Sequence, residues 1–233
     1  MKKTLIAMLV LTALLCAACG SAAPTPTVEP VPTEPPSAAP AEEPEMDPPM
    51  ERPSYFANQV TLLSSQEGML ETTLNPEEPE NQEYVINYML MDDTLIFDQT
   101  GNMLSPEDVM EGSLLAVYAG AYTPAPMIMP PQYQASIVIL LDAESEETGF
   151  TCADTFVMVD GVLTGTGNTL ALNLSEDVEI VDREGNPTQE ELENKDLLVF
   201  YGASTRSIPA QTTPSKIVVL GTNEMALANI NAQ

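Results

Sequence analysis

The chain repeats a stretch of its own sequence, and this repeat constrains the fold more than any other feature. Residues 92–118 read DDTLIFDQTGNMLSPEDVMEGSLLAVY, and 176–201 answer with EDVEIVDREGNPTQEELENKDLLVFY, one residue being dropped after the shared Gly-Asn. Further on, 129–140 match 208–220. A period of about 80–84 residues is too long for a solenoid unit and is typical of a duplicated small domain.

We therefore expect two tandem units, one at 55–143 and one at 149–221, followed by a tail at 222–233. In each unit, apolar runs bounded by turn residues predict about three strands, a short helix and two more strands. Each unit is large enough to bury one modest core of its own.

The predicted helix is marked by its start. Ser105 followed by Pro106 has the signature of an N-cap and a first helical residue, and Thr188 takes that place in the second unit. This order of elements resembles the OB-fold, a five-stranded Greek-key barrel with a helix between its third and fourth strands. We predict an all-β chain with one short helix per unit, folded as two tandem OB-like barrels. Two small β-sandwiches are the alternative.

The repeat also pairs single residues. Tyr118 and Tyr201 fall on one repeat position, and Ser136 pairs with Lys216. The shared pattern is D-x-x-G-N, a Ser or Thr helix cap, LL-x-x-Y, P-x-Q and I-V-x-L. It resembles uncharacterised domains of exported proteins and lipoproteins from Gram-positive gut bacteria and clostridia. The resemblance covers both units, implies an extracytoplasmic protein and implies no activity.

The N-terminus has the features of an export signal. Lys2 and Lys3 precede an apolar stretch at 4–15, which is too short to span a bilayer comfortably, and small residues then lead to Cys19. Cys16 stands three residues before Cys19, where an aliphatic residue is usual. An ordinary secretory signal cleaved nearby is the alternative.

This arrangement resembles the lipobox of bacterial lipoproteins. The resemblance implies that 1–18 are a signal peptide and that Cys19 carries acyl chains such as palmitate. The expected location is the cell membrane, with the protein lipid-anchored and facing outside. The segment from Cys19 to residue 53 holds eleven prolines and few aliphatic residues, so it predicts a disordered, extended linker.

The charge balance excludes one class of partner. The chain has 7 basic and 35 acidic residues, a formal net charge of −28, and loses Lys2 and Lys3 with the signal. Nucleic acid needs a cationic surface that releases counterions, so we expect no nucleic-acid partner. Contact with the membrane is expected to come from the lipid anchor alone.

Catalysis is not expected. The chain has no His, which removes the commonest general base, nucleophile activator and metal ligand. Lys195 and Lys216 are expected to be solvated, and Cys152 is expected to be a buried, inert thiol. We predict a binding or interaction module of the cell envelope that needs no cofactor. A His-free hydrolase using carboxylates and a purely structural spacer are the alternatives.

Two sets of residues are candidate sites. In OB-folds the loop between the last two strands commonly contacts ligands, so we expect a glycan, peptide or protein ligand near one tyrosine-rich, methionine-rich loop. Its candidate residues are Tyr122, Met127, Met129 and Tyr133. The shared D-x-x-G-N segments offer weak calcium candidates, although a tight turn is the favoured interpretation and no metal is expected. These candidates are Asp98, Asn102, Asp182 and Asn186.

Overall fold

A computed structural model describes residues 52–142, 149–224 and 228. Eleven strands follow one another in these residues. They are β1 Tyr55–Gln66, β2 Met69–Thr73, β3 Val85–Asp98, β4 Leu114–Gly120, β5 Gln132–Leu141, β6 Phe150–Val159, β7 Val162–Gly165, β8 Leu170–Leu172, β9 Glu179–Val181, β10 Lys195–Ser204 and β11 Ala210–Gly221. Within the described part of the chain, no helix has the length and apolar character that a membrane span needs.

The first unit is a closed five-stranded barrel in the order β1-β2-β3-β5-β4. Its strands pair antiparallel, except for β3 and β5, which run parallel. This is the strand order of an OB-fold, so the predicted fold class is confirmed. Closure leaves the barrel without the unpaired edges that an open sheet would expose.

The second unit repeats this barrel with one strand broken in two. β6, β7, β8, β11 and β10 close a ring, because β10 pairs with both β6 and β11. β8 and β9 both run parallel to β11 and correspond to the two halves of β3. β3 is one continuous strand, and a shift in its register with β5 between Leu90 and Leu95 marks the corresponding position.

The prediction of one short helix per unit is wrong in its extent. In the first unit the segment is a 3-10 turn of three residues, Pro106–Asp108, with Ser105 and Asp108 forming a capping box. In the second unit Thr188 and the residues after it form no helix. The Thr188 hydroxyl accepts the Glu190 N–H at 3.3 Å instead, so the capping side chain serves a turn.

The two D-x-x-G-N segments have the same structural role, which accounts for the repeated motif. Each forms a turn that reverses the chain, so that the residues after the turn run back along the strand before it. Beyond the turn, Met103 bridges Phe97 and Pro187 bridges Val181. The Leu104 N–H donates to Ile96 O at 2.8 Å. Each turn therefore supplies a short return segment that occupies the outer edge of β3 or β9.

Strand pairing corrects the residue matches expected from the repeat. Val117 faces Val138 in the first barrel, and Val199 faces Ile217 in the second. Tyr118 is therefore equivalent to Phe200, and Tyr201 lies one residue beyond. The same register pairs Lys216 with Ile137 of the first unit and not with Ser136. Because side chains alternate between faces, a shift of one residue exchanges inside for outside.

Three apolar clusters organise the two barrels. One fills the first barrel, around Leu62, Tyr88 and Val117, and one fills the second, around Phe156 and Val199. The third, which we call the shared interface, joins outward-facing residues of both barrels. Its buried members are Phe97, Tyr118, Ile137, Ile139, Ala153, Val181, Leu198, Phe200, Val218 and Leu220.

The two turn glycines differ in their contact with this interface. Both need a positive φ, +88° at Gly101 and +84° at Gly185. A Cβ on Gly101 would lie 2.9 Å from Lys216 Cδ and 3.3 Å from the Phe200 ring, whereas a Cβ on Gly185 meets nothing within 4 Å. Gly101 therefore allows the first barrel to approach the second.

We predict that Gly101→Ala lowers the free energy of unfolding more than Gly185→Ala. Both changes force a side chain into left-handed backbone, which costs about 1–2 kcal/mol. Only Gly101→Ala adds overpacking against Lys216 and Phe200, which costs a further ~1–3 kcal/mol. Urea unfolding of the two variants beside the parent chain measures the difference. Equal losses would show that Gly101 does not limit the approach of the barrels.

Candidate binding groove between the barrels

A groove of about 200 Å³ opens along the junction of the barrels. Its first-barrel lining comes from β1, β3, β5 and the loop after β4, and its second-barrel lining comes from the turn after β9 and the end of β11. The lining residues are Tyr55, Met91, Asp93, Leu95, Thr123, Gln134, Ala135, Ser136, Ile137, Arg183 and Leu220.

Arg183 is the cation of this groove. It donates from Nη1 to Leu220 O at 3.1 Å and from Nη2 to Asp93 O at 2.8 Å, so backbone carbonyls of both barrels hold it. A guanidinium has five N–H donors, and these two contacts use two of them. Neither of the two ion pairs found among the described residues includes Arg183.

The equivalent residue in the first barrel is Gln99. Its Oε1 accepts the Asp142 N–H at 3.0 Å, at the end of β5, as Arg183 contacts the end of β11. In both copies the side chain at this position thus hydrogen-bonds the end of the barrel's last strand, β5 or β11. Only the second copy places a positive charge there. Arg183 is half-buried, and its charge is kept beside the apolar Leu220 and Ile137.

Tyr55 forms the wall of the groove at the start of β1. Its hydroxyl donates to Asp196 Oδ2 at 2.6 Å, and the Thr155 hydroxyl donates to Asp196 Oδ1. Burial raises the pKa of Tyr55 far above its ordinary value, and the neighbouring Asp196 raises it further. Tyr55 therefore stays neutral and remains a donor to Asp196.

Asp154 is a second buried carboxylate at the same junction. Its Oδ1 accepts the N–H of Ser54 at 2.7 Å and the hydroxyl of Thr166 at 2.8 Å, and its Oδ2 accepts the Gly167 N–H at 2.8 Å. Thr155 N–H adds a further bond to Oδ1 at 2.9 Å. Burial raises the pKa of Asp154, while these hydrogen bonds oppose the shift. Asp154 thus ties the chain before β1 to the second barrel.

These two acids are poorly placed for chemistry on a substrate. Asp154 is fully buried and Asp196 is 5% exposed, so protein atoms occupy the space that a substrate would need. Burial also raises the pKa of Cys152 to about 12, which keeps the thiol protonated and unreactive. Among the described residues, no three His, Cys, Asp or Glu side chains lie close enough together to hold a metal ion.

The four residues of the predicted ligand loop are not brought to one site. Met127 is 103% exposed and Met129 is 76% exposed. Tyr133 packs against the first core and makes an edge contact with the Phe56 ring, with centroids 5.0 Å apart, while Tyr122 is half-buried. The loop reaches the groove through its neighbouring residue Thr123.

The weak calcium candidates have the geometry of turns. Asp98 Oδ1 accepts the N–H groups of Thr100 at 2.8 Å and Asn102 at 2.9 Å. Asp182 Oδ1 accepts the Asn186 N–H at 2.8 Å in the same way. Burial raises the pKa of Asp98, but its hydrogen bonds outweigh that effect and lower it overall. Donor groups thus already contact the oxygens that a cation would need.

Some expectations concern residues that the structure does not describe, and none of the groove's lining residues was among the sequence candidates. The signal peptide at 1–18, Cys19, the linker up to residue 51 and most of the tail at 222–233 lie outside the described residues. Arg183 was not a sequence candidate, although the repeat aligns it with Gln99 in a chain that has only 7 basic residues. The available signal was the difference in charge between Gln99 and Arg183 at one repeated position.

The chain matches no family model, no curated protein and no solved structure.

We predict that Asp154→Ala lowers the free energy of unfolding by roughly 3 kcal/mol or more, because it leaves several buried donors without an acceptor at about 1–3 kcal/mol each. Asp154→Asn keeps one oxygen for the donors to Oδ1 and should cost less. Asp177→Ala, at an exposed position, is the control. Urea unfolding checks the ranking, and an Asp154→Ala variant as stable as the control would contradict the role of this carboxylate.

Proposed function

We propose that the protein is a lipid-anchored binding module of the cell envelope, held outside the membrane through Cys19, with the groove between its barrels as the ligand site. The groove carries this proposal, because it combines a half-buried guanidinium, neutral hydrogen-bonding side chains and an apolar floor in one concavity. Concave sites with a few placed polar groups are typical of ligand binding.

The arrangement of the acids supports binding without catalysis. A glycosidase needs two carboxyl groups on either side of an accessible bond. Asp154 and Asp196 are buried and hydrogen-bonded to Ser54, Tyr55 and Thr155, so neither faces the groove as a free acid. The absence of His from the chain agrees with this interpretation.

A rigid spacer is the second candidate function, and the shared interface favours it. The interface buries Phe97, Tyr118 and Phe200 between the barrels, which makes them one packed body. A spacer needs such rigidity but does not need a groove with a cation in it.

The anchor is tested by following the chain in a bacterial host. We expect labelled palmitate to be incorporated into the parent chain and the protein to partition into detergent. Cys19→Ala should abolish both, whereas Cys16→Ala should leave lipid incorporation intact. Labelling that survives Cys19→Ala would overturn the anchor.

The groove is tested by screening the detergent-solubilised full chain on peptide and glycan arrays. Thr123 is exposed at the rim, so Thr123→Trp should obstruct the groove and abolish binding to any ligand found. Ala125→Trp places the same side chain on the same loop outside the groove lining and should leave binding unchanged. No bound ligand would favour the spacer, whereas equal binding by both variants would overturn the groove as the ligand site.

A further inference from the structure

We propose that the groove recognises the C-terminal carboxylate of a short peptide through Arg183. The inference deepens the proposed function and rests on it, because it names the ligand class of the same groove.

The first argument concerns the hydrogen bonds of the guanidinium. Backbone carbonyls of Asp93 and Leu220 hold Arg183 in place without neutralising it, and the described residues leave three of its five N–H donors unused. Guanidinium groups bind carboxylates through two parallel hydrogen bonds. Because Arg183 is already held, less conformational entropy is lost when a ligand binds.

The second argument is the charge of the surroundings. The chain carries a formal net charge of −28, and Asp93 adds an exposed carboxylate at the rim of the groove. Attraction to Arg183 and repulsion from the surrounding acids both grow with the charge of the ligand. Because the chain has 35 acidic and 7 basic residues, its overall field is negative, and a dianionic phosphate is repelled more strongly on approach than a monoanion. A single carboxylate gains the contact with Arg183 at the smaller electrostatic cost.

The third argument is the rest of the lining. Leu95 is the partly accessible apolar residue of the floor, above the buried Ala135 and Ile137, while Gln134 and Ser136 offer partners for a peptide amide. A volume of about 200 Å³ suits an end group. Drug-sized pockets span roughly 300–1,000 Å³.

The same lining argues against a sugar ring as the occupant. Aromatic faces that pack on ligands are the usual anchors of such sites. Tyr55 is the one aromatic residue in the lining, so the groove offers a single ring for such a contact. A carboxylate next to a peptide amide fits this set of groups better.

The test compares short peptides that end in Ala or Gly with the same peptides carrying a C-terminal amide. Binding to the full chain is measured by calorimetry. We expect the amide to weaken binding by about tenfold or more, and Arg183→Gln to weaken the free-acid peptide by about 10- to 100-fold. Arg206 is exposed in the loop between β10 and β11 and does not line the groove, so Arg206→Gln should leave binding unchanged.

A second variant separates recognition from stability, since Arg183 also links the barrels. Gln134 is exposed at the groove, so Gln134→Ala should weaken peptide binding several-fold while the unfolding temperature stays at the parent value. For Arg183→Gln the unfolding temperature is recorded beside the binding curve. A folded Arg183→Gln chain that binds the free acid as the parent does would overturn the inference.

The remaining outcomes distinguish the inference from the proposed function. Equal binding of acid and amide peptides at the groove would refute carboxylate recognition and leave the binding module standing. If an acidic glycan binds through Arg183 and no peptide binds, the assignment of the ligand as a peptide is refuted, while recognition of an acidic group by Arg183 stands. Failure of every peptide and every glycan would refute the proposed function itself.

Discussion

The structure depends on the apolar contact between the two barrels. Each barrel offers a corresponding outer face to the other, built in the first unit by β3, β4 and β5 and in the second by β6, β9, β10 and β11. The edge-to-face contact of Phe97 and Phe200, with centroids 5.9 Å apart, lies in this face. An outward-facing apolar surface on a lone barrel would be exposed to water, so duplication supplies each copy with its cover.

The contact is built from equivalent strands but not from equivalent side chains. Leu95 and Ile137 are neighbours in the first barrel, and their counterparts Glu179 and Lys216 form an ion pair at 3.4 Å. The Lys216 stem approaches Gly101, while Leu95 and Ile137 form the floor under Arg183. The groove therefore arises where the two copies diverge, which is where a function specific to this chain can reside.

Much of the fold could be predicted from the sequence because its signals are local. Alternating apolar runs and glycine turns specify strands within each unit, and their order specifies the barrel. The register of the last two strands could not be predicted. Two adjacent apolar residues, such as Leu197 and Leu198, face opposite cores, and only pairing with the neighbouring strand decides which one points inward. The strong capping signals at Ser105 and Thr188 likewise overstated the helices, since both barrels close around short turns.

The candidate site was less predictable because none of its contacts is local. Asp93 and Arg183 are 90 residues apart, and Tyr55 and Asp196 are 141 apart. Sequence could indicate only that one copy has an arginine where the other has a glutamine, in an acidic chain. The structure adds that backbone carbonyls hold Arg183 and that the two buried carboxylates do not contact it. Asp196 accepts hydrogen bonds from Tyr55 and Thr155, and Asp154 accepts hydrogen bonds from backbone amides. Because neutral donors satisfy both buried acids, neither acid forms an ion pair with Arg183, and the two ion pairs among the described residues lie elsewhere.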